Sequence, residues 1–361
     1  MNRTLLVQTL ARGPLTARDR ISVLTRFEHP SRGSVRCPAA PAFAADLAER
    51  LRPGAAGAPG RGVALDTDVD ASRHTRATIT AAVSYLDRDG HATGLAAALP
   101  ADDSAALDAV LRGLCEWTSV MHTRQVLVAE QPSCAPSSAA TALCPHRTIA
   151  HASVLEYVGR GDALVLVADR ESGLAEQLAA DARGAGGRAE IVREAATAAL
   201  GDVDPNALSF VIVPGTRIEV AGPILRGLRE RFPRLRGQHP DAFCHGRTDW
   251  YETVRSVAGA SERVFVLSDP AEPTDPTVLE VVDALGVPCV RVTDPVDLRP
   301  AQLDHRAIGL IPVGSATADK RVAEAVELLG GLGPLSARRR STRTEALRPS
   351  SVSQGTNLYY F

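Results

Sequence analysis

The chain has 361 residues, 45% of them hydrophobic and 23% charged, with a formal net charge of −2. This length exceeds the roughly 250–300 residues at which single cores stop growing, so we expect two or three domains. Such a balanced charge provides no overall field to attract nucleic acid or an anionic membrane, and we expect neither as a partner.

The hydropathy pattern of the sequence also predicts no targeting signal. No run of about 18 apolar residues is present, and the first residues lead quickly into charged side chains at positions 12, 18, 19 and 20 instead of a cleavable apolar segment. We therefore expect a cytoplasmic protein. In that compartment its six cysteines are expected to be free thiols or metal ligands instead of disulfides.

Short apolar runs alternate with amphipathic stretches along the chain. Continuous apolar runs of this length are typical of strands buried on both faces, and they predict strands at 62–65, 125–129, 163–167, 210–213, 263–267, 288–292 and 307–311. The stretches between them predict helices at 42–51, 75–86, 104–117, 174–184, 222–231, 248–258, 276–285 and 318–329. The alternation predicts an α/β fold with parallel sheets.

Three cysteines divide the chain regularly. Cys37, Cys144 and Cys244 are 107 and 100 residues apart, and each lies in a turn-like segment rich in polar, glycine or proline residues. We expect three pseudo-symmetric α/β units with small parallel sheets around a central site: 20–143, 144–243 and 244–335, each carrying one of these thiols. Residues 336–361 follow as a flexible, disordered basic tail.

Other interpretations of the cysteines remain open. The three thiols could be unrelated and buried, or Cys144 could join His146, His151 and Cys134 in a mononuclear zinc site, since these are acceptable zinc ligands. A third class, an interaction protein, has little support beyond the basic tail. Cys115 and the remaining cysteine, Cys289, are expected to fill the core.

The segments around the two later cysteines, together with one turn near residue 315, carry a resemblance. The segment 241–249, containing Cys244 and Thr248, resembles the 4-hydroxy-3-methylbut-2-enyl diphosphate reductase family, as do Leu143-Cys144-Pro145 with 150–152 and the turn 314–319. The resemblance covers roughly residues 32–335. It implies three α/β units around a central [4Fe-4S] cluster, held by one cysteine from each unit, and reductive removal of an allylic hydroxyl from a bound diphosphate.

The first cysteine has two possible alignments. Arg32-Gly33 precedes Cys37 by a longer gap than the family has, and a rival alignment through 12–15 would place Leu15 there. We prefer Cys37, because 73–76, leading into a predicted helix that ends near 86–90, resembles the family's next motif.

The resemblance also implies roles for individual residues. The cluster ligands would be Cys37, Cys144 and Cys244. The catalytic residues would be His74, Thr216, Glu171 and Thr248, and the substrate would contact His74, Thr248, Ser315 and Thr317. Electrons would come from an external carrier such as ferredoxin or flavodoxin, since no Gly-x-Gly-x-x-Gly motif lies at a strand–helix junction.

The chain departs from the family where the substrate should bind. The family's histidine-proline-glutamate segment is replaced by 169–173, and no histidine follows the strand 125–129. The expected phosphate donors are replaced by 268–275, whose carboxylates would repel a diphosphate. We therefore expect a divergent paralogue with a different small allylic substrate, or alternatively a non-catalytic iron-sulfur or redox-sensing relative with the same fold.

Overall fold

The computed structural model describes residues 3–10, 20–52, 62–66, 78–86, 90–132, 144–169, 173–194, 203–270, 275–314 and 317–344. The chain divides into two compact units. The first unit combines 1–130 with 253–340, and the second combines 131–252 with 341–361.

Strands and helices alternate along most of the described chain. The strands are β1 Arg3–Leu10, β2 Arg20–Leu24, β3 Arg26–His29, β4 Gly33–Arg36, β5 Gly62–Asp66, β6 Thr78–Leu86, β7 Ala92–Pro100, β8 Arg124–Ala129, β9 Ala163–Val167, β10 Ala189–Val192, β11 Leu208–Ile212, β12 Arg236–Gly237, β13 Arg263–Ser268, β14 Cys289–Val292, β15 Ala307–Val313 and β16 Leu335–Arg340. The helices are α1 Ala40–Arg50, α2 Ser104–Ser119, α3 Pro145–Gly159, α4 Gly173–Gly184, α5 Ile218–Arg231, α6 Gly246–Ala258, α7 Pro276–Asp283, α8 Pro300–Leu303 and α9 Thr317–Gly330.

The strands form three sheets, and the α/β class is confirmed. A five-stranded sheet in the first unit has the order β14-β13-β15-β8-β16, and a four-stranded sheet in the second unit has the order β10-β9-β11-β12. Every pairing in these two sheets is parallel. All seven predicted strands are present, six of them in these parallel sheets and β5 in the third sheet.

The third sheet, in the first unit, differs from the prediction. Its seven strands include the path β1-β6-β7-β2-β5, and three of these four pairings are antiparallel. The helix predicted over 75–86 is wrong, because Thr78–Leu86 is a strand hydrogen-bonded to β1 on one side and β7 on the other. Strand β1 lies far before this segment in the sequence, and β7 follows it. The residue pattern of the segment alone therefore does not reveal that it pairs with them.

The basic residues 338–340 also have a defined structure. They belong to β16, which pairs with β8 at the edge of the five-stranded sheet. The prediction of a disordered tail from residue 336 is therefore wrong over residues 336–340. Residues 345–361 lie outside the described residues.

The four-stranded sheet is apolar on both faces, which explains its continuous apolar strands. Val165 and Phe210 face one cluster, which includes residues of α5. Leu164 and Val211 face a second cluster, which includes residues of α3 and α4. Alternate residues of each strand thus pack on opposite layers of helices.

One buried cation connects helix ends in the first unit. Arg124 is 2% exposed, and its Nη1 donates to the carbonyl of Leu332 at 3.0 Å. Its Nη2 donates to the carbonyls of Leu303, at 2.9 Å, and of Val120. Burial lowers the pKa of this guanidinium to about 10. Arg124 therefore binds carbonyls at or just beyond the carboxyl ends of α2, α8 and α9, where the helix dipole is negative.

Candidate metal centre

Chain direction places two of the predicted ligands at one edge of the four-stranded sheet. Residues 160–162 connect α3 directly to β9, so α3 runs back along the sheet and begins near the carboxyl ends of the strands. The chain also leaves the carboxyl end of β12 at Gly237 before it reaches Cys244. Cys144 and Cys244 therefore lie at the edge where α/β sheets commonly bind ligands.

The side chains of Cys144 and Cys244 contact each other. They are 6% and 3% exposed, and they share a side-chain hydrogen bond. Burial raises the pKa of Cys144, and the nearby Cys244 raises it further. The backbone N–H groups of His146 and Arg147, in the first turn of α3, lower the pKa of Cys144 and so oppose this rise. The result is a buried thiol pair in which nearby backbone N–H groups favour the thiolate form of Cys144.

Cys37 lies in the first unit, between β4 and α1. It is 2% exposed, its N–H donates to the carbonyl of Thr25 at 2.8 Å, and its own carbonyl accepts from Ala40 at 3.0 Å. Burial raises the pKa of its thiol from 9.0 to about 12. That Cys37 comes together with Cys144 and Cys244 stays a prediction.

A common local arrangement links the three thiols. Helices α1, α3 and α6 begin three, one and two residues after Cys37, Cys144 and Cys244 respectively. The partial positive charge at a helix N-terminus favours a thiolate or an anionic cluster. The three helices also lead into three different sheets, through β5, β9 and β13.

The donor chemistry of the thiol pair fits iron. Thiolates are the usual ligands of iron-sulfur clusters, so Cys144 and Cys244 would each supply one sulfur ligand to such a group. Within the described ranges, no group of three His, Cys, Asp or Glu side chains is placed to hold a metal ion. A cubane would therefore need a ligand beyond this pair.

The alternative zinc ligands are not gathered around Cys144. His146 lies near it, but its Nδ1 is 3.4 Å from the carbonyl of Ala242. His151 lies in the second turn of α3 and pairs with Asp181 on α4, at 3.4 Å between Nε2 and Oδ2. Cys134 lies outside the described residues.

Two predicted catalytic threonines have hydrogen bonds within the second unit. The Thr248 hydroxyl accepts the N–H of Ile218 at 3.0 Å and donates to Glu219 Oε2 at 3.1 Å, so it caps the start of α5. Thr216 is 2% exposed, and its hydroxyl donates to the carbonyl of Val167 at 3.3 Å. Both residues belong to the edge that carries the thiol pair, and both hydroxyls help to hold that edge together.

Sequence reasoning missed a cluster of cationic and aromatic groups on this edge. Tyr251 has the guanidinium of Arg247 at 5.5 Å and that of Arg217 at 5.8 Å from its ring centroid. Arg247 is 3% exposed and donates to the Tyr251 hydroxyl through Nε and Nη2, at 3.0 and 2.9 Å. Arg217 pairs with Asp169 at 3.0 Å. The four-residue spacing of Arg247 and Tyr251 on a helix was the available signal.

Other predicted site residues fall outside the description. His74, Glu171 and Ser315 lie outside the described residues, and Thr317 is the first residue of α9. The helix that supported the placement of His74 is the strand β6. Cys115 and Cys289 were expected in the core, but this expectation is wrong, because both are exposed.

The carboxylates that follow β13 have local partners. Asp269 pairs with Arg321 on α9 at 3.1 Å. Asp275 is the N-cap of α7 and accepts the N–H of Thr277 at 3.1 Å. An ion pair and a cap reduce the repulsion that these two groups would exert on an anion.

Among the helices of the described ranges, we find no segment with the length and apolar character needed to cross a bilayer.

Comparison with known proteins gives a consistent set of relatives. The chain is 28% identical over 197 residues to the 4-hydroxy-3-methylbut-2-enyl diphosphate reductase of Chromohalobacter salexigens, which covers 53% of this chain and 61% of that protein. It is 25% identical over 206 residues to the enzyme of the same name from Pseudomonas putida, which covers 56% of this chain and 65% of that protein. The match thus spans less than two thirds of these curated relatives. No protein-family model matches the chain.

Solved structures give a weaker likeness. The reductase from Plasmodium falciparum aligns with a TM-score of 0.43 and 13% identity, over 70% of this chain and 83% of that chain. A second structure, of the terminal enzyme of the non-mevalonate pathway, aligns with a TM-score of 0.40 and 14% identity, over 52% and 66% of the two chains.

Proposed function

Because the chain is a divergent relative of the 4-hydroxy-3-methylbut-2-enyl diphosphate reductases, we propose that it is an iron-sulfur reductase that removes an allylic hydroxyl. The observation that carries the proposal is the buried contact between Cys144 and Cys244 at the carboxyl edge of the four-stranded sheet. Cys37 would supply the third sulfur. The organisation into three units, with one thiol each, belongs to the same proposal.

The three cysteines would hold a [4Fe-4S] cluster. When bound, such a cluster supplies electrons and an iron that can act as a Lewis acid toward a hydroxyl. Binding would deprotonate the thiols, because thiolate is the ligand form, so metal affinity has to offset their raised pKa values. The N–H groups of His146 and Arg147 lower this cost at Cys144.

The remaining groups would act on the substrate. Glu171 is the proposed proton donor for the departing oxygen, with His74 and the hydroxyls of Ser315 and Thr317 as substrate contacts. Thr216 and Thr248 would shape the edge beside the thiols. External one-electron donors of the ferredoxin or flavodoxin type would supply the electrons.

The substrate is proposed to be a small allylic alcohol that differs from the family's diphosphate. Support comes from the sequence changes at 169–173 and 268–275. Asp269 and Asp275, which replace phosphate donors, hold an ion pair and a helix cap.

The test begins with the cluster. Protein purified without oxygen and reconstituted with iron and sulfide is expected to be brown and to contain about four irons per chain. Cys37→Ala, Cys144→Ala and Cys244→Ala should each lose most of the iron and the colour. Cys115→Ala and Cys289→Ala are matched controls at exposed thiols and should keep both. Full iron content in all three ligand variants would refute the assignment.

Turnover then tests the substrate. Loaded protein with a chemical or ferredoxin reductant is assayed on 4-hydroxy-3-methylbut-2-enyl diphosphate and on non-phosphorylated allylic alcohols. We expect slow or no conversion of the diphosphate. Rapid conversion to isopentenyl and dimethylallyl diphosphate would refute the altered substrate while supporting the reductase.

A second candidate function is a redox-sensing iron-sulfur protein without catalysis. The specific observation in its favour is that the hydroxyls of Thr216 and Thr248 both make hydrogen bonds within the fold. A stable cluster, reversible reduction and no turnover of any allylic alcohol would favour this candidate over the enzyme.

A further inference from the structure

The segment that carries Cys244 leaves the four-stranded sheet in an unusual way. Strand β12 pairs with β11 for only two residues, and the N–H of Gln238 then points to the carbonyl of Phe210 at 3.4 Å. The next ladder donor, the N–H of Ile212, goes to the side-chain Oε1 of Gln238 at 3.0 Å. In a continuing parallel strand, a main-chain carbonyl would accept this bond. The Gln238 side chain thus completes the ladder while the backbone turns away.

The same side chain reaches α3. Gln238 is 6% exposed, and its Nε2 lies 3.5 Å from the hydroxyl of Ser153. Its amide therefore joins β11 to the helix that begins at Cys144. Gly237 permits this geometry, because a Cβ there would lie 2.2 Å from the Phe210 ring.

A second contact lies close to the sulfurs. His146, two residues after Cys144, has Nδ1 3.4 Å from the carbonyl of Ala242, two residues before Cys244. A carbonyl only accepts, so Nδ1 is the protonated nitrogen in this contact. One bond therefore joins the first turn of α3 to the Cys244 segment.

We propose that Gln238 and His146 are positioning residues that hold Cys144 and Cys244 in contact before any metal binds. That the pair serves as cluster ligands rests on the proposed function, but the positioning itself concerns the metal-free protein. Holding the two thiol-bearing segments side by side in advance removes part of the ordering cost that metal binding would otherwise have to meet.

The test measures the proximity of the sulfurs without a cluster. Reduced, metal-free protein is treated with diamide, which takes up two electrons and two protons as two thiols become one disulfide. Peptide mass spectrometry then follows the Cys144–Cys244 disulfide with time. His146→Leu and Gln238→Leu should each slow its formation about tenfold, the factor that corresponds to about 1.4 kcal/mol of lost pre-organisation.

Conservative variants separate positioning from general stability. His146→Asn keeps an N–H near the position of Nδ1 and should restore most of the wild-type rate. Gln238→Glu keeps the acceptor for Ile212 and loses the donor to Ser153, so an intermediate rate is expected even if Gln238→Leu does not fold. His151→Leu, on the same helix but paired with Asp181, is the matched control and should oxidise at the wild-type rate.

Several outcomes would overturn the inference. Wild-type rates in folded His146→Leu and Gln238→Glu would do so, as would failure of His146→Asn to restore the rate while its melting temperature stays normal. If the wild-type pair oxidises rapidly but reconstituted protein binds no iron, the proposed function fails and the positioning stands. If iron binds normally while these variants oxidise like wild type, the positioning fails and the proposed function stands.

Discussion

The two compact units surround their candidate ligands with different chemistry. Cys37, in the first unit, has a pKa raised to about 12 by burial. At Cys144, in the second unit, burial also raises the pKa, but two backbone N–H groups oppose it and a second thiol adjoins it. Burial favours the neutral form of both thiols, and the neighbouring Cys244 adds to this effect at Cys144, whereas the backbone N–H groups favour its thiolate. The difference teaches that backbone N–H groups in the second unit offset part of the cost of ionising Cys144, whereas burial raises the pKa of Cys37 in the first unit.

The rate of thiol alkylation should show the largest difference between the buried Cys37 and an exposed cysteine. At pH 8, a thiol with a pKa of about 12 has about a thousandfold less thiolate than one at the ordinary value of 9.0. We expect iodoacetamide to modify Cys37 in metal-free protein at least about a thousandfold more slowly than the exposed Cys115. Peptide mass spectrometry measures both rates, and unfolding in urea should equalise them. Similar alkylation rates in the native protein would show that burial does not suppress the ionisation of Cys37.

The stability of the protein should fall at alkaline pH because of Cys37. The folded pKa is raised above the unfolded value of 9.0, so the neutral thiol contributes its full stability below pH 9 and loses it as the pH rises toward 12. Between pH 9 and 10.5 we expect the free energy of unfolding to fall by about 2 kcal/mol more in wild type than in Cys37→Ala.

Urea unfolding of the metal-free protein across this range measures the difference. The Cys37→Ala variant controls for other groups that titrate in the same window, and Cys115→Ala should follow the wild type. Parallel curves for wild type and Cys37→Ala would show that burial of this thiol does not control its ionisation.

A smaller loss of stability should follow from a substitution at Thr248, at the sheet edge beside the thiol pair. Thr248→Ala removes the hydroxyl that caps the first N–H of α5, and loss of such a cap costs about 1 kcal/mol of unfolding free energy. Thr248→Ser keeps the oxygen and should stay within about 0.5 kcal/mol of wild type. Thermal unfolding of the two variants tests this, and equal destabilisation would show that the methyl group matters more than the cap.

The parallel sheets were predictable because their signal is local. Val165 and Phe210 pack on one helical layer and Leu164 and Val211 on the other, so each strand is a continuous apolar run. Apart from β5, the strands of the seven-stranded sheet gave no such signal. Its strand β7 reads Ala-Thr-Gly-Leu-Ala-Ala-Ala-Leu-Pro, a composition that suits a helix locally, but β6 and β2 flank it.

The candidate site was predictable in part for the same reason. Cys144 and Cys244 could be chosen from their turn-like neighbours, their spacing and the family resemblance, and the structure brings these two together. The helix α3, which begins after Cys144, was not predicted, because its buried residues Ala150, Val154 and Tyr157 form only a narrow apolar stripe. Gln238 gave no signal, since its role depends on a β11 partner that the sequence does not identify.

The guanidinium of Arg124 has a consequence for how the first unit assembles. Two of its carbonyl partners, Leu303 and Leu332, are 179 and 208 residues away in sequence, so a single side chain closes two long loops. These two long-range hydrogen bonds can form only after the intervening residues have brought the carbonyls close to Arg124. We therefore expect them to form late in folding and to depend on each other. The segments around residues 120, 303 and 332 should therefore unfold together, because the side chain of Arg124 connects them.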